Sequence, residues 1–196
     1  QAIRARELAG LKSTLVVCPA GVRQVWPYEF RLWAQTAVTL LEGATIYDAS
    51  AWARGRRDVL ICSYEQAVAW QEILTRDYFD LLICDESHYM KSPSAKRTRA
   101  VLGEHGDGIN AIAGMAKFAW FLTGTPIKND PVDIWAMLKA TGSTKMTYTG
   151  FQTRHFNQKV STFSVKNNIK DGALSELQVV IRASGLMRTF ADVGQQ

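Results

Sequence analysis

The chain has 196 residues and a mass of 21.9 kDa, the size of one ordinary domain, with 47% apolar and 21% charged residues. Those fractions lie near globular averages of about 45–50% and about 25%, which excludes disordered, collagen-like and coiled-coil classes. Lys and Arg number 23 against 18 Asp and Glu, giving a net charge of +5 and a pI near 9.2, a mild bias towards polyanionic partners that names none of them.

In chain order, the sequence opens at Gln1, without a methionine, directly in the helix-like AIRARELA, and we expect further chain upstream. Four short apolar runs come next: LVVC at 15–18, VLIC at 59–62, LLIC at 81–84 and FAWFL at 118–122. They are continuous rather than alternating, as strands buried on both faces of a parallel sheet are. Between them, Val22, Val25, Phe30 and Trp33 share one helical face, which Pro27 is expected to break or restart. A second helix is expected over 65–76, where Val68, Ile73 and Leu74 are apolar. Ser92-Pro93, and Asp130-Pro131 with Asp133 behind it, read as helix starts with a cap followed by proline. Residues 141–172 are polar and aromatic without clear period, and Leu174, Leu177 and Ile181 then space as one more helix. Strand alternating with helix predicts an open α/β sheet with right-handed crossovers.

Cys18, Cys62 and Cys84 each close an apolar run in no CxxC or His-linked spacing. They are expected as buried free thiols of an intracellular, reducing compartment. No apolar stretch reaches the roughly 18–20 residues of a membrane helix. The richest, 109–122, is interrupted by Lys117, so no membrane partner is expected.

Ligands of open parallel sheets bind beyond the carboxyl ends of the strands. The residues there are Pro19 and Ala20, Ser63 and Tyr64, Asp85 to His88, and Thr123 to Pro126. Asp85 and Glu86 are adjacent carboxylates where desolvation makes charge expensive. On their own they allow two readings: Asp85 holding a hydrated Mg²⁺ while Glu86 polarises water, or an acidic helix cap, which is the commoner use. His88 alone is more often structural than catalytic, and a DxxH metal site lacks further ligands.

The combination is more specific. Asp85-Glu86-Ser87-His88 after one strand and Leu122-Thr123-Gly124-Thr125-Pro126 after the next, with Ile127 and Asn129 behind, resemble motifs II and III of the DEAH-like superfamily 2 helicases. VVCPAGVRQVWPYEF, SYEQA, ESHYMKSPSAKRTRA, GTPIKNDPVDIWAML and LMRTFADV, in that order, are similar to segments of the SNF2 family of double-stranded-DNA translocases. The resemblance implies a three-layer, RecA-like lobe of the P-loop NTPase type with a mostly parallel sheet, truncated at its N-terminal strand and phosphate loop. It implies residues 1–140 as the ATP-binding lobe, 141–172 as a helical or irregular protrusion, and 173–196 as a helix entering the linker to a second RecA-like lobe. The cofactors would be ATP and Mg²⁺ and the partner double-stranded DNA, held by its backbone without base reading, in the nucleus or nucleoid. Asp85 would bind Mg²⁺, Glu86 would activate water, and His88 with Thr123, Gly124 and Thr125 would couple nucleotide to DNA grip. Pro19, Ala20, Ser63 and Tyr64 would face the DNA backbone, as would the cluster of Lys91, Lys96 and Arg97.

Several residues depart from the family pattern. No G-x-x-x-x-G-K-[ST] loop occurs, Ser87 replaces the commoner Ala, Lys128 stands where Gln is usual, and Phe190 where Lys is usual. The stretch 103–114, GEHGDGINAIAG, lengthens the gap between motifs II and III and is expected to be a flexible insertion. The second basic cluster, Arg54, Arg56 and Arg57, accompanies no motif, and the six tryptophans sit within apolar patterns that favour packing over base stacking. The alternatives to a motor lobe are a nucleotide-silent DNA-binding or interaction module, and a metal-dependent phosphoesterase built on Asp85, Glu86 and His88.

Overall fold

The structure is a computed structural model describing residues 1–34, 36–40, 58–124, 131–161 and 164–184. Its centre is a five-stranded sheet of order β2-β3-β1-β4-β5, with every pairing parallel. The four expected strands are β1 (Thr14–Cys18), β3 (Val59–Ser63), β4 (Phe79–Cys84) and β5 (Ala116–Phe121). The fifth, β2 (Val38–Leu40), is a three-residue edge strand too short to register as a run.

The continuous apolar runs of β1, β3 and β4 arise from two covered faces, whereas β5 is an edge strand only partly covered, with Phe118 45% exposed. Leu15, Val17, Leu60, Cys62, Leu82 and Cys84 belong to one hydrophobic cluster, and Val16, Cys18, Ile61, Leu81 and Ile83 to another on the opposite side. Helices α1 (Ala2–Leu8) and α2 (Val25–Trp33) cover the second cluster through Ile3 and Phe30. The first cluster packs under α3 (Tyr64–Ala69), α4 (Gln71–Leu74), α5 (Lys96–Leu102) and α6 (Trp135–Ala140). The result is a three-layer α/β architecture. Arg6, 3% exposed, ties α1 to the sheet by donating from Nε to Thr14 Oγ1 at 2.8 Å, with its guanidinium 5.7 Å from the Phe30 ring centroid.

Local chemistry shifts several expected boundaries. Helix α2 runs through Pro27, which is its third residue, and the first-turn N–H groups have no intrahelical acceptor to lose. The helix expected over 65–76 is two, because Trp70 at φ −118°, ψ 17° interrupts it. Helix α5 begins at Lys96 rather than Ser92-Pro93: Ala95 N–H donates to Ser92 O at 3.1 Å, closing a turn with Pro93 at its second position. The stretch 103–114 is closely packed rather than loose. Gly108 N–H donates to Leu102 O, Ala111 and Ile112 are buried, and a Cβ on Gly114 would lie 2.2 Å from Gly108 O.

Residues 141–172 hold α7 (Tyr148–His155) and an antiparallel hairpin of β6 (Phe156–Ser161) and β7 (Ser164–Ile169). The helix expected at Leu174 is α8 (Ala173–Ser184). Phe151, Phe156 and Leu177 join the same hydrophobic cluster as Trp135, so this region packs on the main body. No helix among the described residues is long and apolar enough to cross a membrane.

Candidate functional site

The site forms where β4 ends. Asp85 N–H donates to Val17 O at 2.8 Å, keeping it on the β1 side of the ladder. Glu86 then turns at φ 48°, ψ 49°, a left-handed conformation that costs a non-glycine residue about 1–3 kcal/mol. The turn is held beyond it: Ser87 N–H donates to Leu122 O at 2.8 Å and Leu122 N–H to Cys84 O at 2.9 Å. Ser87, buried, also donates its hydroxyl to Met137 Sδ of α6 at 3.1 Å, a contact that alanine would lack. The chain continues as a four-residue 3-10 turn, Ser87–Met90, with no side-chain cap bond, so the acidic pair does not cap an α-helix.

The carboxylates are differently engaged. Asp85 Oδ1 accepts from Glu86 N–H at 2.9 Å and Oδ2 from the Trp26 indole Nε1 at 3.0 Å, while its carbonyl accepts from the Tyr64 hydroxyl at 2.8 Å. The Glu86 side chain is 43% exposed, and its Oε2 lies 3.1 Å from His88 Nδ1. The same His88 nitrogen lies 3.1 Å from Thr123 Oγ1, the expected bridge between the two strand ends. Gly124 is exposed with open space where a Cβ would stand. Thr125, like Ile127, Lys128 and Asn129, lies outside the described residues.

A cleft of about 480 Å³ opens beside Asp85, lined among others by Ala2, Trp26, Glu29, Trp33 and Leu122. Each Asp85 oxygen accepts one hydrogen bond and keeps a lone pair. Among the described residues no three His, Cys, Asp or Glu side chains gather into a metal cage. That donor set suits Mg²⁺, which binds through one or two carboxylates and completes its shell with water and substrate phosphates. Among the described residues the phosphoesterase alternative finds no further ligands.

The expected DNA-facing residues divide. Pro19 is half-buried and Ala20 exposed, opening a 3-10 turn (Ala20–Val22) at the end of β1. Ser63 is 4% exposed and spends its Oγ as the N-cap of α3, accepting from Gln66 N–H at 3.2 Å while Gln66 Oε1 accepts from Ser63 N–H. Tyr64 is wholly buried, so its side chain has no surface to offer DNA; the tyrosine that opens α3 belongs to the core. On the other flank Lys96 is exposed and Lys91 half-buried, and Arg97 stands 5.6 Å over the Tyr89 ring. Arg54, Arg56 and Arg57 lie outside the described residues.

Trp26 and Tyr64 as partners of Asp85, and Met137 as partner of Ser87, carry no signal in the sequence, since their separations obey no periodic rule. The three cysteines are buried and free, as expected. Burial, with Asp85 nearby, pushes the Cys18 thiol up to about 12, and burial pushes Cys62 and Cys84 higher still. They are packing groups, not nucleophiles.

The fold is that of a three-layer, RecA-like lobe. Residues 3–196 match the SNF2-related domain, and the chain belongs to that family. It is 27% identical to the helicase-like transcription factor of Mus musculus over 91% of its own length and 17% of that protein's. It is 29% identical to the DNA repair and recombination protein RAD54B of Homo sapiens over 65% of its length and 13% of that protein's. The SWI2/SNF2 ATPase core of Sulfolobus solfataricus, solved with double-stranded DNA, superposes on 94% of the chain with a TM-score of 0.67 and 22% identity, covering 35% of that chain. This chain therefore spans a small part of these relatives' length.

Proposed function

We propose that the chain is the first motor lobe of an ATP-dependent translocase or remodeller acting on double-stranded DNA. The carrying observation is the Asp85–Glu86 turn at the carboxyl end of β4, bridged through His88 to Thr123 beyond β5. Membership of the SNF2-related domain and likeness to a core solved on duplex DNA support it. Partners would be a DNA duplex gripped by its backbone and a second RecA-like lobe, in the nucleus or nucleoid.

Asp85 would hold Mg²⁺, and the ion would neutralise charge on the transferring phosphates when bound. Glu86, whose side chain is 43% exposed, would orient and deprotonate the attacking water. His88 would read the position of Glu86 on one side and of Thr123 on the other through a single nitrogen. The exposed turn at Pro19 and Ala20 and the side chains of Lys96 and Arg97 would meet phosphates without reading bases.

The test is Glu86→Gln in the whole protein, assayed for ATP binding and DNA-stimulated hydrolysis. Turnover should fall by about 10²- to 10⁴-fold with ATP binding retained. Asp85→Asn should in addition weaken Mg²⁺-dependent nucleotide binding. Unchanged turnover in Glu86→Gln would refute the assignment. Duplex binding indifferent to nucleotide, with no hydrolysis by the wild type, would establish the nucleotide-silent module instead.

A further inference from the structure

Two segments that end neighbouring strands each send one aromatic donor to the same residue. Trp26, on α2 behind the Pro19–Ala20 turn, donates Nε1–H to Asp85 Oδ2 at 3.0 Å. Tyr64, first residue of α3 behind Ser63, donates its hydroxyl to the Asp85 carbonyl at 2.8 Å. The segments are joined to each other, since Arg23 Nη1 donates to Gln66 Oε1 at 2.7 Å. The Tyr64 ring stacks on Tyr89 at 5.8 Å between centroids and 6° between planes, and Arg97 lies over that same Tyr89. Asp85 is thus fixed at its carboxylate from one segment and at its main chain from the other, immediately before the left-handed Glu86.

Neither polar group is needed for packing alone: phenylalanine would fill the buried site of Tyr64, and Trp26 is only half-buried. Their donors aim at one residue from two elements, and partners of a ligating carboxylate set its orientation. We propose that Trp26 and Tyr64 are positioning residues that transmit duplex engagement at the ends of β1 and β3 to the Asp85–Glu86 turn. This rests on the reading of the chain as a duplex-binding, nucleotide-hydrolysing lobe. A shift of α2 or of the start of α3 changes one of the two hydrogen bonds first, and the turn they restrain carries the water-activating carboxylate.

The experiment uses the ¹⁵N-labelled 196-residue chain titrated with a mixed-sequence duplex at low salt. It tracks the Asp85 and Glu86 amides and the Trp26 indole N–H. In the wild type all three signals should move as duplex is added. Tyr64→Phe, which keeps the ring stack, and Trp26→Phe should bind duplex with unchanged affinity yet lose the Asp85 and Glu86 shifts, while the β3 amides report an intact fold. In the whole protein each variant should lose about 10- to 100-fold in DNA-dependent kcat, as outer partners of a ligand typically cost. KM for ATP should stay constant. Wild-type-like Asp85 and Glu86 shifts in both variants, or duplex binding by the wild type that leaves those amides unmoved, would overturn the inference alone. Failure of the wild type to bind duplex would overturn the functional reading and this inference with it.

Discussion

Tyr64 illustrates how much one oxygen atom can settle. Its hydroxyl is buried against the Asp85 carbonyl, and loss of the donor leaves that acceptor unpaired. Tyr64→Phe should therefore destabilise the chain by about 1–3 kcal/mol, read from urea unfolding. A second residue-scale expectation concerns Cys18, Cys62 and Cys84, whose thiols are raised from an ordinary value of 9.0 by burial, Cys18 to about 12. Because the folded values are raised, their contribution to stability is complete below about pH 9 and lost as pH climbs towards 12 and beyond. Unfolding midpoints measured across that range should fall, and a triple Cys→Ala variant should flatten the decline. In the native state none of the three should be alkylated at neutral pH. At this scale the sequence was legible where chemistry is local. Asp85, Glu86, His88 and Thr123 were readable as strand-end residues, and the structure brings them together. Trp26 and Tyr64 were not, because a hydrogen bond between distant residues leaves no spacing to detect.

Among the elements, the stretch 103–114 shows the limits of composition. Glycine-rich sequence suggested looseness, yet Gly103, Gly106 and Gly108 take positive φ, and Gly114 approaches Gly108 O too closely for any side chain. Those glycines are there for geometry. Gly114→Ala should cost about 1–3 kcal/mol by overpacking, seen as a lower urea midpoint, whereas Gly21→Ala, with nothing within 4 Å of the added Cβ, should be near neutral. Strands β1, β3 and β4 were legible because burial on both faces writes continuous runs; β5 shows the same kind of run at a partly exposed sheet edge. The hairpin of β6 and β7 was not, since FNQKVS and SVKNNI offer few apolar positions from which a period could be read. Helix starts were misplaced for a different reason: at Ser92-Pro93 the same residues serve a turn and a helix cap, and the turn wins.

For the molecule as a whole, the net charge of +5 and exposed basic groups such as Lys96 predict duplex binding that is weak, sequence-independent and steeply weakened by salt. A filter or anisotropy titration of two unrelated duplexes at low and moderate salt checks this; strong preference between them, or indifference to salt, would refute it. With no phosphate loop in the sequence, the 196-residue chain alone should hydrolyse no ATP above background, with or without DNA. DNA-stimulated turnover by this chain would show that the loop is dispensable. The order of the sheet has a consequence in time. β1 is its central strand, yet both neighbours arrive much later in the chain, with Thr14 registered against Val59 on one side and Leu81 on the other. A nascent β1 therefore leaves the ribosome long before either partner exists, carrying the wholly apolar Leu15, Val16 and Val17. Non-local parallel pairing of this kind folds slowly and keeps apolar segments exposed meanwhile. Yield in a cell should accordingly depend on chaperone supply and rise when synthesis is slowed or cooled.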